Sequence, residues 1–148
     1  MSLKPYLQAG RLEAGCDEAG RGCLAGPVFA AAVILPPEHG IDALNDSKQL
    51  KESQRAELRV HIEARAMAWA VAMVSPEQID RINILNASFL AMEKAVLALS
   101  VQPDFLLIDG NRFRPTQCAT PFACQIKGDS RFQSIAAASI LAKTHRDA

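Results

Sequence analysis

The sequence predicts an α/β domain built on a mixed sheet of about five strands flanked by helices. Three observations carry that expectation. Short apolar runs of strand length recur at 27–35, 67–74 and 105–108, and stretches of helical periodicity lie between and after them. The run at 105–108, Phe-Leu-Leu-Ile, is continuously apolar, as suits a strand covered on both faces. The composition, 49% hydrophobic and 22% charged over 148 residues, is that of one globular domain spanning 1–148 with enough apolar side chains for a core.

The elements can be justified in turn. Residues 12–18 read as a short strand entering a glycine-rich turn, and 27–35 as a second strand stopped by Pro36-Pro37. Residues 38–50 are polar and loop-like. Residues 51–65, rich in Glu, Arg, Ala and Leu, predict an exposed helix whose thin apolar stripe is Leu58 and Ile62. A third strand is expected over 67–74. Ser75-Pro76-Glu77 combines a capping serine with proline at the first helical position, which starts a short helix. A longer helix follows over about 84–99, with Leu85, Phe89, Met92, Val96 and Leu99 as its core stripe. After Pro103 come the strand at 105–108, another at 122–127, and an alanine-rich helix over 130–146 with no Gly, Asn or Pro stop before Ala148.

Sixteen basic and sixteen acidic residues give no net charge, which excludes a uniformly basic nucleic-acid binder but leaves room for a local basic face. Residues 111–148 carry six basic and two acidic side chains, whereas 1–110 carry ten and fourteen. No stretch has the roughly 20 apolar residues of a membrane span, and no basic segment precedes an apolar one at the start. The expected compartment is the cytoplasm. Cys16, Cys23, Cys118 and Cys124 form no zinc-binding spacing and read as reduced thiols packed as small hydrophobes. His39, His61 and His145 fall in a loop and on polar helix positions, so no nucleophilic triad competes for the chemistry.

The carboxylates are more informative. Asp109 ends the apolar run and precedes Gly110-Asn111, where α/β sheets place ligands, although an Asp-Gly turn also uses that residue. Asp17-Glu18 is an acidic pair in an apolar strand, which is costly to bury unless paired or holding a cation. Asp129 lies before the alanine-rich helix, where an N-cap is the alternative role. Lys48 sits in the polar loop. Gly20-Arg21-Gly22 with Ala25 meets the letters of a dinucleotide fingerprint, but the segment leads into a strand rather than a helix, so nicotinamide binding is rejected. Separated carboxylates with Lys and Arg nearby suit Mg²⁺ or Mn²⁺. Two such ions ~3.5–4 Å apart can clamp the attacking and leaving oxygens of a phosphodiester.

At this point the motifs resemble a known family. The stretch Gly15-Cys16-Asp17-Glu18-Ala19-Gly20-Arg21-Gly22, continuing to Val28, is similar to the opening motif of ribonuclease HII, the type 2 ribonuclease H. Leu44-Asn45-Asp46-Ser47-Lys48, Ile82-Asn83-Ile84-Leu85, Leu107-Ile108-Asp109-Gly110-Asn111 and Lys127-Gly128-Asp129-Ser130 resemble that family in order and spacing, as do Ser134 to Lys143 and Arg146-Asp147. The resemblance implies a ribonuclease H-like fold. It also implies a metal-dependent endonuclease that cuts the RNA strand of RNA–DNA hybrids and cuts 5′ of single ribonucleotides in duplex DNA, leaving 3′-hydroxyl and 5′-phosphate ends. Asp17, Glu18, Asp109 and Asp129 would be the catalytic acids and hold Mg²⁺ or Mn²⁺, Asp17 shared between ions; Asp147 is the competing fourth acid. The backbone of Gly20, Arg21 and Gly22 would read the ribose 2′-hydroxyl, and Lys48, Lys143 and Arg146 would hold phosphates. No protein partner is implied. The family continues beyond Arg146-Asp147 with helices and a junction-stacking tyrosine, whereas the only tyrosine here is Tyr6. The chain is thus expected to be shorter than the family and weaker in activity or junction specificity. The alternative is a cleavage-incompetent fragment that binds hybrids.

Overall fold

The structure is a computed structural model that describes residues 2–20 and 26–148. Five strands, β1 (Glu13–Ala19), β2 (Val28–Ile34), β3 (Ala68–Val74), β4 (Phe105–Asp109) and β5 (Phe122–Gln125), form one mixed sheet. The spatial order is β3-β2-β1-β4-β5. β1, β2 and β3 pair antiparallel, while β4 lies parallel to both β1 and β5. β1 is therefore the middle strand. Its register sets Cys16 beside Ile108, so Asp17 and Asp109 follow at the same ends of neighbouring parallel strands. From there β1 connects toward β2 and β4 toward β5, and the diverging connections open the kind of crevice in which α/β sheets bind ligands.

Helices cover both faces. α2 (Pro76–Leu97) lies on one face, its Phe89, Met92 and Val96 packed with Ala14, Cys16, Ala30, Ala32, Leu106 and Ile108. α3 (Gln133–Asp147) lies on the other, where Ala137, Ala138, Leu141 and Ala142 meet Ala31 and Val33. α1 (Glu52–Arg65) packs outside α3 through Leu58 and Ile62, as its stripe predicts. A His145–Glu63 contact of 3.0 Å and the i,i+4 pair Arg59–Glu63 at 2.9 Å join and brace these helices.

One close approach explains a glycine. A Cβ on Gly15 would run into the backbone of Ser134 and Ile135, so only glycine lets the start of α3 lie against β1. The structure thus assigns Gly15 to helix–strand proximity.

Several expectations need correction. The loop-like 38–50 contains a 3-10 helix over Asp42–Gln49, pinned by the fully buried Leu44. The two helical segments after Ser75 are one element with a kink at Asn83, whose φ of 69° is left-handed. Asparagine tolerates that region. Its Oδ1 accepts from the Asn86 N–H at 3.0 Å, capping the second segment. The kink swings the next turn outward, so Leu85 is 43% exposed rather than in the core. β5 ends at Gln125, short of 127, because Lys127 turns left-handed with φ 55°. The last helix starts at Gln133, after a 3-10 turn over Gly128–Ser130, not at 130. Cys16 is buried, Cys118 and Cys124 are half-buried, and all three are free thiols; Cys23 lies outside the described residues. Among the described residues no helix is long and apolar enough to cross a membrane.

Candidate active site

The acids arrive from three separate segments. Asp17 comes from near the end of the middle strand, Glu18 follows it, and Asp109 is the last residue of β4. Asp129 enters from the 3-10 turn over Gly128–Ser130, where its backbone N–H donates to Asp109 Oδ1 at 3.3 Å. Gly128 makes that possible. A Cβ there would strike Ile135 Cδ1 at 2.5 Å and crowd Asp109 Oδ1 at 3.4 Å.

Electrostatics tie the four together. Asp17 is only 5% exposed. Burial pushes its carboxyl well above the usual carboxylate range, and the charge of Asp109 adds to this, with Glu18 and Asp129 contributing less. A hydrogen bond of 2.8 Å from the Glu18 N–H to Asp17 Oδ1 opposes the shift without cancelling it. Glu18 is raised as well, first by burial and then by Asp109, with Lys143 pulling it back. Buried like charges of this kind are unfavourable unless a cation compensates them.

Two cations of the chain approach the cluster. Lys48 Nζ sits 2.6 Å from Asp129 Oδ2. Its hydrogen bond to Asp129, helped by the charges of Asp129, Asp109 and Asp17, raises the lysine above its ordinary value against the cost of burial. Lys143 lies on α3, within electrostatic reach of Glu18. Arg146 is placed differently: its Nη1 donates to the Gly20 carbonyl at 3.2 Å, and its Nε pairs with Asp147 Oδ1 at 3.1 Å. That pairing engages Asp147, the competing fourth acid, with an arginine. Gly20 follows β1 and is exposed, while Arg21 and Gly22 lie outside the described residues. A cleft of about 360 Å³ beside Glu18 and Gly20 is walled by Val28, Ile84, Leu85 and Ser88, so the outward swing at Asn83 shapes the approach to the acids.

The donor set fits a hard divalent cation in type. It is all oxygen, strongly anionic and partly desolvated, and among the described residues no histidine or thiolate joins it. Among the described residues no three such side chains are already drawn in to a finished cage. Burial first, and the neighbouring carboxylates second, raise Asp17 and Glu18, and a bound cation would offset both.

Sequence reasoning missed two buried carboxylates, Glu13 at the start of β1 and Glu93. Glu93, 2% exposed on α2, accepts from the Thr116 N–H at 3.0 Å, the Thr116 hydroxyl at 3.1 Å and the Cys118 N–H at 2.6 Å, and also from the Gln117 N–H. It stitches the β4–β5 connection onto α2. Its spacing, four residues after the core Phe89, was the available signal.

Comparison with known proteins identifies the family and the fold. The ribonuclease HII family profile matches residues 14–148. The chain is 63% identical over 145 residues to a ribonuclease HII of Parabacteroides distasonis, an alignment covering 98% of this chain and 72% of that one. The crystal structure of ribonuclease H2 from Pyrococcus horikoshii OT3 superposes with a TM-score of 0.78 at 26% identity, covering 91% of this chain and 72% of that one. Bst-RNase HIII, solved in complex with Mn²⁺, superposes with a TM-score of 0.74 at 25% identity, covering 90% of this chain and 51% of that one. With carboxylates gathered at the end of a five-stranded sheet of that topology, the chain belongs to the ribonuclease HII family of endonucleases, with their ribonuclease H-like fold.

Proposed function

We propose that residues 1–148 act as one catalytic unit that hydrolyses the RNA strand of RNA–DNA hybrids and cuts 5′ of a single ribonucleotide in duplex DNA, leaving 3′-hydroxyl and 5′-phosphate ends. One observation carries the reading. Asp17 and Asp109 stand on adjacent parallel strands at a switch point, with Glu18 and Asp129 close enough to raise the Asp17 carboxyl. Relatives named ribonuclease HII support it.

In this reading Asp17, Glu18, Asp109 and Asp129 would hold divalent ions, Mg²⁺ or Mn²⁺, two being the expected number. When bound, such ions would supply Lewis acidity at the scissile phosphate and would make a water more acidic. The chain's own residues position the rest. The backbone at Gly20, Arg21 and Gly22 approaches the ribose and tests for the 2′-hydroxyl, the group that distinguishes RNA from DNA. Arg146 ties Gly20 to α3 through the Gly20 carbonyl and presents its remaining N–H groups to a phosphate. Lys143 and Lys48 hold neighbouring phosphates, contacts that orient the duplex without reading its sequence. Water attacks phosphorus in line, and the bond to the 3′ oxygen breaks, so that oxygen leaves as the hydroxyl.

The direct test incubates the chain with Mg²⁺ or Mn²⁺ and a duplex bearing one ribonucleotide. Cleavage on the 5′ side of that nucleotide is expected. In Asp17→Asn it should fall at least about 100-fold with hybrid binding retained, because a ligand is lost and the fold is not. A gel shift with no turnover in the unsubstituted chain would instead support a hybrid-binding module.

A further inference from the structure

The 3-10 helix over Asp42–Gln49 contributes no carboxylate to the cluster, yet it sends Lys48 into it. The ion pair with Asp129 is lopsided. The lysine side chain is 55% exposed and the aspartate 13%, so the carboxylate is fixed while the ammonium has open solvent to move into. Before its kink at Asp46 the segment is anchored by buried Leu44 and by the Leu3 N–H, which donates to Asn45 Oδ1 at 2.9 Å; Lys48 follows the kink and reaches the cluster on a long flexible stem. The same ammonium lies within the fields of Asp109 and Asp17, so it faces three of the four acids.

We propose that Lys48 is a built-in counter-cation that occupies Asp129 Oδ2 until a divalent ion takes that oxygen, and that its displacement delivers the ammonium to the substrate phosphate. The inference rests on the reading of the four acids as metal ligands. Its logic is charge. One carboxylate oxygen cannot serve an ammonium at 2.6 Å and a divalent ion together without placing two cations in contact. A long exposed stem lets the lysine yield at little cost, whereas the carboxylates, held by strands and a tight turn, stay where they are. Metal loading and phosphate capture thereby become sequential, and the acids are never left without any compensating charge.

The test measures Mn²⁺ binding in the absence of nucleic acid. Free Mn²⁺ is read by electron paramagnetic resonance for the unsubstituted chain and for Lys48→Met. Removing the competing ammonium should lower the Mn²⁺ dissociation constant about five- to tenfold. In parallel, acetylation of Lys48 in the unsubstituted chain is followed by mass spectrometry. Saturating Mn²⁺ should speed labelling of Lys48 several-fold and leave Lys51 unchanged, a readout that does not depend on the variant folding. Equal or weaker Mn²⁺ binding by a folded Lys48→Met, or Lys48 labelling indifferent to Mn²⁺, overturns the proposal while leaving the metal site intact. Failure of the unsubstituted chain to bind Mn²⁺ overturns the metal reading and the proposal with it.

Discussion

Asp17 and Glu93 are both carboxylates withdrawn from water, 5% and 2% exposed, and their surroundings push them in opposite directions. Asp17 is raised by burial and by Asp109, with a single backbone donor in opposition. Glu93 meets the same cost of burial, but the N–H groups of Gln117, Cys118 and Thr116 and the Thr116 hydroxyl outweigh it and hold its carboxyl below the usual range. Burial alone therefore says little about purpose. A carboxylate surrounded by donors is a rivet, and one surrounded by other carboxylates is a site waiting for a positive charge.

The largest effect that would break this contrast is on stability. Glu93→Gln should destabilise the chain by about 2 kcal/mol in urea unfolding, since a charged acceptor of several hydrogen bonds is lost. Asp17→Asn should do the reverse in EDTA, stabilising the metal-free chain while abolishing cleavage. Destabilisation by both would mean that Asp17 is structural too.

The pH dependence sharpens the comparison further. Glu93, lowered on folding, contributes stability that is present above its ordinary value and lost as pH falls through its depressed one. Asp17 and Glu18, raised on folding, contribute stability that is present below the ordinary carboxylate value and lost as pH rises through their elevated ones. Urea unfolding in EDTA should therefore show an acid limb that flattens in Glu93→Gln and a limb at higher pH that flattens in Asp17→Asn. The smallest expected effect concerns the basic tail: Arg146→Ala should reduce the salt slope of hybrid binding by about one. An unchanged slope would confine Arg146 to its bond with Gly20.

Much of the site was legible because strand ends and apolar runs are local signals. The run at 105–108 announced both a covered strand and the aspartate at its end, and the structure gives β4 those bounds plus Asp109. The kink at Asn83 was half visible: the sequence divides the helical region there, but nothing local shows which way the next turn swings, so Leu85 was misplaced. The 3-10 helix over Asp42–Gln49 escaped notice because it offers a single buried apolar residue, Leu44. Glu93 and the Lys48–Asp129 pair escaped for a different reason. Their partners are distant in sequence, and periodicity carries no information about what a folded chain brings opposite a side chain.

The parallel pairing of β1 with β4 joins Glu13 to Phe105 across most of the polypeptide. Closing so long a loop comes late in folding, since its entropic cost precedes any reward. Half of the acids emerge early during synthesis, but they face no counterpart until β4 docks. The candidate site is thus assembled only when β4 pairs with β1.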